Sequence, residues 1–190
     1  MKAQTVRQVE VIRPHFTESA AQESVEKIKK PAFLHKKVRW VSSIPLYVPF
    51  WFVDVEMDLR APRKGMVQKT YTMMVNAITN RGMLVSGNLE TEQIHTRAIF
   101  VEEEVPCQTA RETARIESLV STKRMINPPP HRVLPGARLV WYPLALVNVE
   151  VNGKPDVQIF DYYRGGLDKF TMRFLQLKDK MEKKANAQAT

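Results

Sequence analysis

The sequence predicts an α+β fold of two tandem strand–helix–hairpin units, forming antiparallel sheet with the helices packed on one face. Three observations carry this expectation. The decamer Tyr47 to Glu56 (YVPFWFVDVE) recurs 94 residues later as Trp141 to Glu150 (WYPLALVNVE), sharing Pro, Val, Val and Glu. The elements flanking each decamer follow the same order. The 190-residue chain is 44% apolar and 26% charged, so it is long and apolar enough to bury a core without covalent staples. The expected division is residues 1–92 for the first unit and 93–190 for the second, which carries an added C-terminal helix.

In the first unit, Val6, Val9 and Val11 have polar neighbours between Thr5 and Arg13, the pattern of a strand. Thr17 is the expected N-cap of a helix whose stripe is Ala21, Val25 and Ile28, with lysines at its end and Pro31 as its stop. The first decamer opens a strand in which Val53, Val55, Met57 and Leu59 alternate with Asp54, Glu56, Asp58 and Arg60. A turn over 61–65 leads to a return strand with Tyr71, Met73, Val75 and Ala77 on one face.

The second unit repeats the plan. Arg97 to Val105 is its expected first strand, followed by Pro106 and a helix with a Thr109–Glu112 capping box. Val147, Val149 and Val151 then alternate, Asn152-Gly153 is hairpin chemistry, and Val157 to Tyr163 returns. Pro49 and Pro143 cannot donate to a ladder, so each belongs at a strand start, an edge or a bulge. The apolar runs after them, Phe50 to Val53 and Leu144 to Val147, fit segments buried on both faces.

The segment Tyr71 to Val85 contains Asn76-Ala77-Ile78-Thr79, with Gly82 two residues later than a strand–Asx-Ala-x-Thr-Gly–strand pattern has it. In this it resembles the closing hairpin of PepSY-type domains, and the helix-then-hairpin order is similar. The second unit has Asp161-Tyr-Tyr-Arg-Gly-Gly166 in place of the motif. The resemblance implies a non-catalytic, inhibitory or regulatory module of the kind usually associated with the cell envelope.

Chemistry is sparse. The single Cys107 excludes an intrachain disulfide framework, and His15, His35, His95 and His131 lack metal-ligand spacing, so no metal and no cofactor are expected. No phosphate-binding glycine loop or nucleophile elbow occurs. Adjacent carboxylates in Glu102-Glu103-Glu104 diverge if they lie on a strand. Catalytic residues are therefore not assigned, and the chain is not expected to be an enzyme. An enzyme with a cleft assembled from both halves stays the least supported class.

Charge offers the sharper alternative. Twenty-nine Lys and Arg against twenty Asp and Glu give +9. The densest basic segment holds Lys29, Lys30, Lys36, Lys37 and Arg39 with Trp40, residue types that contact phosphates and stack on bases. Near the C-terminus Leu167, Phe170, Phe174, Leu177 and Met181 recur at 3–4 residue intervals. They suit a helix closing on the sheet, a homodimer contact or a membrane-surface helix. The first expectation is a binding or regulatory module whose protein or peptide partner lies on the sheet face or in the cleft between units. A nucleic-acid-binding protein is the alternative. The longest apolar run is too short and too proline-rich to span a membrane, and the N-terminus alternates charge with apolar residues, so a cytoplasmic setting is expected.

Overall fold

The computed structural model describes residues 5–27, 38–61, 65–85, 89–122 and 130–176. The first half runs β1 (Thr5–Ile12), α1 (Glu18–Glu26), β2 (Val38–Ala61), β3 (Gly65–Asn76) and β4 (Gly82–Leu84). The second runs β5 (Thr91–Phe100), α2 (Cys107–Thr122), β6 (His131–Val133), β7 (Arg138–Val151), β8 (Lys154–Asp161) and β9 (Gly166–Leu167). A last helix, α3, is described over 169–176.

Local chemistry accounts for most element ends. Thr17 Oγ1 accepts the Ala20 N–H at 3.3 Å and so caps α1, as its position predicts. Ala21 and Val25 are the buried residues of α1; Ile28 and Pro31 lie outside the described residues. α2 begins two residues before the expected Thr109: the Ala110 N–H bonds to Pro106 O at 3.0 Å, and Glu112 pairs with Arg115 instead of closing a capping box. β5 also begins and ends earlier than expected. After Phe100 the chain leaves the sheet, and the Glu104 and Val105 N–H groups both donate to Ala77 O at 2.8 Å.

The strands form one mixed sheet in the order β4-β3-β2-β5-β1-β7-β8-β9, with β6 on β2 and a direct β2–β7 pairing. The expected all-antiparallel sheet is corrected here. β1 runs parallel to β7 at Val11↔Trp141, and β2 parallel to β5 at Leu46↔Ile99 and Tyr47↔Phe100. Alternation in a sequence specifies the face a residue takes, not which strand lies beside it. The pairings β2–β5, β5–β1, β1–β7 and β7–β2 close a circuit. Val11, Ala98, Phe100 and Trp141 are buried there, with Val9, Tyr47 and Ile94 against them.

The two prolines fall where the long strands change neighbours. β2 meets β5 at Leu46–Tyr47 and β3 from Phe50; β7 meets β1 at Trp141 and β8 from Leu144. Pro49 and Pro143 sit in those gaps, where a missing N–H leaves no ladder bond unmade. Their carbonyls still accept, from the Ala77 N–H at 3.0 Å and the Tyr162 N–H at 3.2 Å.

Each helix packs on the hairpin of the other half. α2 sets Ala110 and Ala114 against Val53, Val55 and Met57 of β2 and Met73 and Val75 of β3. α1 sets Ala21 and Val25 against Ala145, Val147 and Val149 of β7 and Phe160 of β8. The registers Ser43↔Val147 and Trp51↔Leu139 put both contacts on one face of the β2–β7 pair. α3 is the exception to helices on one face. Its Met172 and Leu175 pack on the opposite cluster of Leu46, Val48, Phe50, Val140 and Leu144.

Candidate functional site

The basic segment does not act as one surface among the described residues. Lys29, Lys30, Lys36 and Lys37 lie outside the described residues. Arg39 makes a two-pronged pair with Glu150, Nη2 to Oε1 at 2.7 Å and Nε to Oε2 at 3.1 Å. That hydrogen-bonded carboxylate raises the guanidinium pKa further. The Trp40 N–H donates to Glu26 Oε1 at 3.1 Å, and its ring packs with Ala21 and Val25 under α1. Arg39 is thus paired on the surface, and Trp40 is half-buried.

The other chemistry-bearing residues are dispersed. Among the described residues no three His, Cys, Asp or Glu side chains converge as metal ligands would. His15 stacks on Tyr163 at 4.3 Å, His95 is exposed on β5, and His131 belongs to β6. Cys107 is half-buried at the start of α2. Glu102 pairs with Arg7 at 3.2 Å, and the Arg7 guanidinium lies 5.2 Å from the Phe100 ring centre and 5.9 Å from that of Trp141.

Asp161, the one buried carboxylate among the described residues, has a structural job. Its Oδ1 accepts the Tyr163 and Arg164 N–H groups at 2.9 and 2.8 Å, and both oxygens accept from Tyr142 OH at 2.9–3.0 Å. Burial first, then the Asp161 charge, pushes the Tyr142 phenol well above its ordinary pKa. Asn76 caps the corresponding turn, accepting the Ile78 and Thr79 N–H groups at 2.9 and 3.0 Å. The second half therefore forms the same turn with other residues. The left-handed position is filled by Asn80 (φ 54) in one turn and Gly165 (φ 76) in the other. Asn80 N–H bonds to Asn76 O, and Gly165 N–H to Asp161 O. In the first turn Asn80, and not Gly82, takes the left-handed position.

The C-terminal stripe is rephased. Leu167 lies on β9, in the cluster under α1, and α3 begins only after Asp168, whose Oδ1 accepts the Phe170 and Thr171 N–H groups at 3.0 Å. With that start, Met172 and Leu175 pack on the core and Phe174 is half-buried. Phe170 is 60% exposed; Leu177 and Met181 lie outside the described residues.

A groove follows from this geometry. β9 pairs with β8 only at Phe160 and Asp161, and the last edge bond is from Asp168 N–H to Ile159 O at 2.8 Å. The chain then turns into α3 and leaves the outer edge of Val157 uncovered. A notch there is lined by Val157, Gln158, Ile159, Leu167, Met172, Lys169 and Arg173. It continues past Val157 and Met172 to Val41, Pro155, Asp156 and Glu150. Val41 and Val157 remain 53% and 37% exposed. Gln158 Nε2 donates to Asp156 Oδ2 at 3.2 Å, yet Gln158 Oε1 is buried with no hydrogen-bond partner. Sequence reasoning missed this site. Its available signal was Val157, an apolar residue on an otherwise polar hairpin end between Asp156 and Gln158.

No family model, curated protein or solved structure matches the chain.

Proposed function

We propose that this protein is a non-catalytic binding module, built from two copies of one PepSY-like strand–helix–hairpin unit, that docks a protein or peptide partner in the groove beside β8 and α3. The groove carries the reading: apolar side chains stay exposed around a sheet edge that the chain itself leaves open. Duplication is supported by symmetry within the β2–β7 ladder. Val48 faces Tyr142, its own counterpart at the 94-residue offset of the decamer, and the flanking pairs Pro49–Trp141 and Tyr47–Pro143 exchange counterparts about it. The matched Asx turns and the exchange of α1 and α2 between hairpins point the same way. No helix among the described residues is long and apolar enough to cross a membrane. A cytosolic setting belongs to the proposal.

The test is site-specific photo-crosslinking in cells of the native host. A photoreactive residue at Val157 should capture a discrete partner that the same residue at Met66, exposed near the β2–β3 turn, does not. Identical adducts from both positions, or none from Val157, would remove the groove as a docking site.

A further inference from the structure

We infer that the groove receives an extended peptide segment, added as a strand to the open edge of β8, with an acidic side chain of the segment set against Lys169 and Arg173. This rests on the docking reading above and names its partner's chemistry. Backbone direction is the first argument. Ile159 O points outward, since it accepts from Asp168 N–H. Residues two apart on a strand share that direction, so Val157 presents its N–H and C=O to the same edge. Its N–H is not bonded to β7; it is capped by the Asp156 Oδ1 of the preceding residue at 2.9 Å. Such a cap blunts an edge and is displaced when a neighbouring carbonyl arrives. Gln158 Oε1, buried without a donor, supplies an acceptor for a bond that the protein alone does not make.

Side chains fix the occupant further. Val157 and Met172 form an apolar floor beside that edge, suited to the alternate side chains of an added strand. Lys169 and Arg173 border one end and make no ion pair among the described residues. Glu150, by contrast, is matched by Arg39 at the other end. Asp168, beside Lys169 and Arg173, is taken up in capping α3, and Asp156 lies past Val157. The open positive charge is therefore confined to the α3 end, where complementarity calls for a carboxylate on the segment. A helix, whose backbone bonds are internal, could offer the outward Val157 N–H and C=O nothing beyond the Asp156 cap, which is why strand addition is favoured.

The experiment uses the full chain. A random dodecapeptide library is selected on it, and selected peptides are measured in solution against variants. Strand addition expects peptides alternating apolar and polar residues with Asp or Glu, weakened about tenfold by Lys169→Glu combined with Arg173→Glu. Asp156→Ala should tighten binding by freeing the Val157 N–H, whereas Asp156→Asn, which keeps an acceptor in place, should not. Val157→Asp should abolish binding. Peptides lost on Val157→Asp but indifferent to Asp156→Ala, or basic in composition, would overturn strand addition and leave the groove standing. A selection whose peptides all survive Val157→Asp, or that yields none, would overturn both.

Discussion

Asn80 and Gly165 hold the same backbone conformation by different means, and the difference has measurable consequences. Asn80 Oδ1 accepts from Thr113 Oγ1 at 2.8 Å, tying its turn to α2. Gly165 has the Phe16 ring against it; a Cβ there would lie 2.1 Å from Phe16 Cζ. Gly165→Ala should therefore cost more than the roughly 1–2 kcal/mol of a left-handed alanine. Asn80→Gly should cost about 1 kcal/mol, the lost hydrogen bond alone. Urea unfolding of the two variants checks both, and equal costs would mean that Phe16 yields freely. The phenol of Tyr142 makes a second residue-scale prediction. Its folded pKa is raised by burial and Asp161, and those of Tyr47 and Tyr162 are raised by burial first. The folded state holds these protons after the unfolded chain has released them. Their contribution is thus complete below the unfolded pKa of about 10 and declines as pH rises above it. The thermal midpoint should fall between pH 9 and 11, and less steeply in Tyr142→Phe.

Elements were legible wherever a local rule sufficed. The Thr17 cap, the two hairpins and the alternation Val53-Val55-Met57 against Asp54-Glu56-Asp58 follow from side-chain period and turn chemistry. What periodicity does not encode is the neighbour. Nothing in β1 announces that Val11 pairs with Trp141, because both faces and both edges of that strand have equal claim from the pattern. The split of β6 from β7 was also hidden. Pro135-Gly136, with φ +90 at Gly136, breaks the strand where the corresponding part of β2 has only an irregularity between Trp40 and Ser42. Trp51 was expected in the core and is half-buried, with its Nε1–H donating to Val105 O at 2.8 Å and its ring against the α2 cluster. Trp51→Ala should cost about 3 kcal/mol, and Trp51→Phe about 1 kcal/mol for the bond alone. α2 reaches the sheet through Ala110, Ala114 and Ser118, all with essentially no exposure. Ala114→Leu should overfill that contact and cost about 1–3 kcal/mol, whereas Ile116→Ala on the exposed side should be nearly neutral.

At the scale of the whole molecule, charge and connectivity lead to separate expectations. The +9 net charge attracts polyanions at low salt whatever the function. With Arg39 held by Glu150 and Trp40 packed under α1, binding of a roughly 20-nucleotide single strand should vanish by about 200 mM salt. A submicromolar complex at that salt, abolished by replacing Lys36, Lys37 and Arg39 together, would restore the nucleic-acid reading. Connectivity predicts more about folding. A chain of two tandem units suggests two independent cores, but α1 and α2 are exchanged between hairpins and the four-strand circuit joins both halves. Neither hairpin can keep its helix while the other half is unfolded, so the described fold should melt as one unit. The three tryptophans report on three different clusters: Trp40 under α1, Trp51 beside α2, and Trp141 at the circuit. In variants retaining one tryptophan, with phenylalanine at the other two positions, each fluorescence transition in urea should overlay the circular-dichroism transition of that same variant. Independent halves would separate them, with Trp40 and Trp51 of the first half changing together and Trp141 of the second at a different urea concentration. Coincidence in all three variants is the result that exchanged helices require.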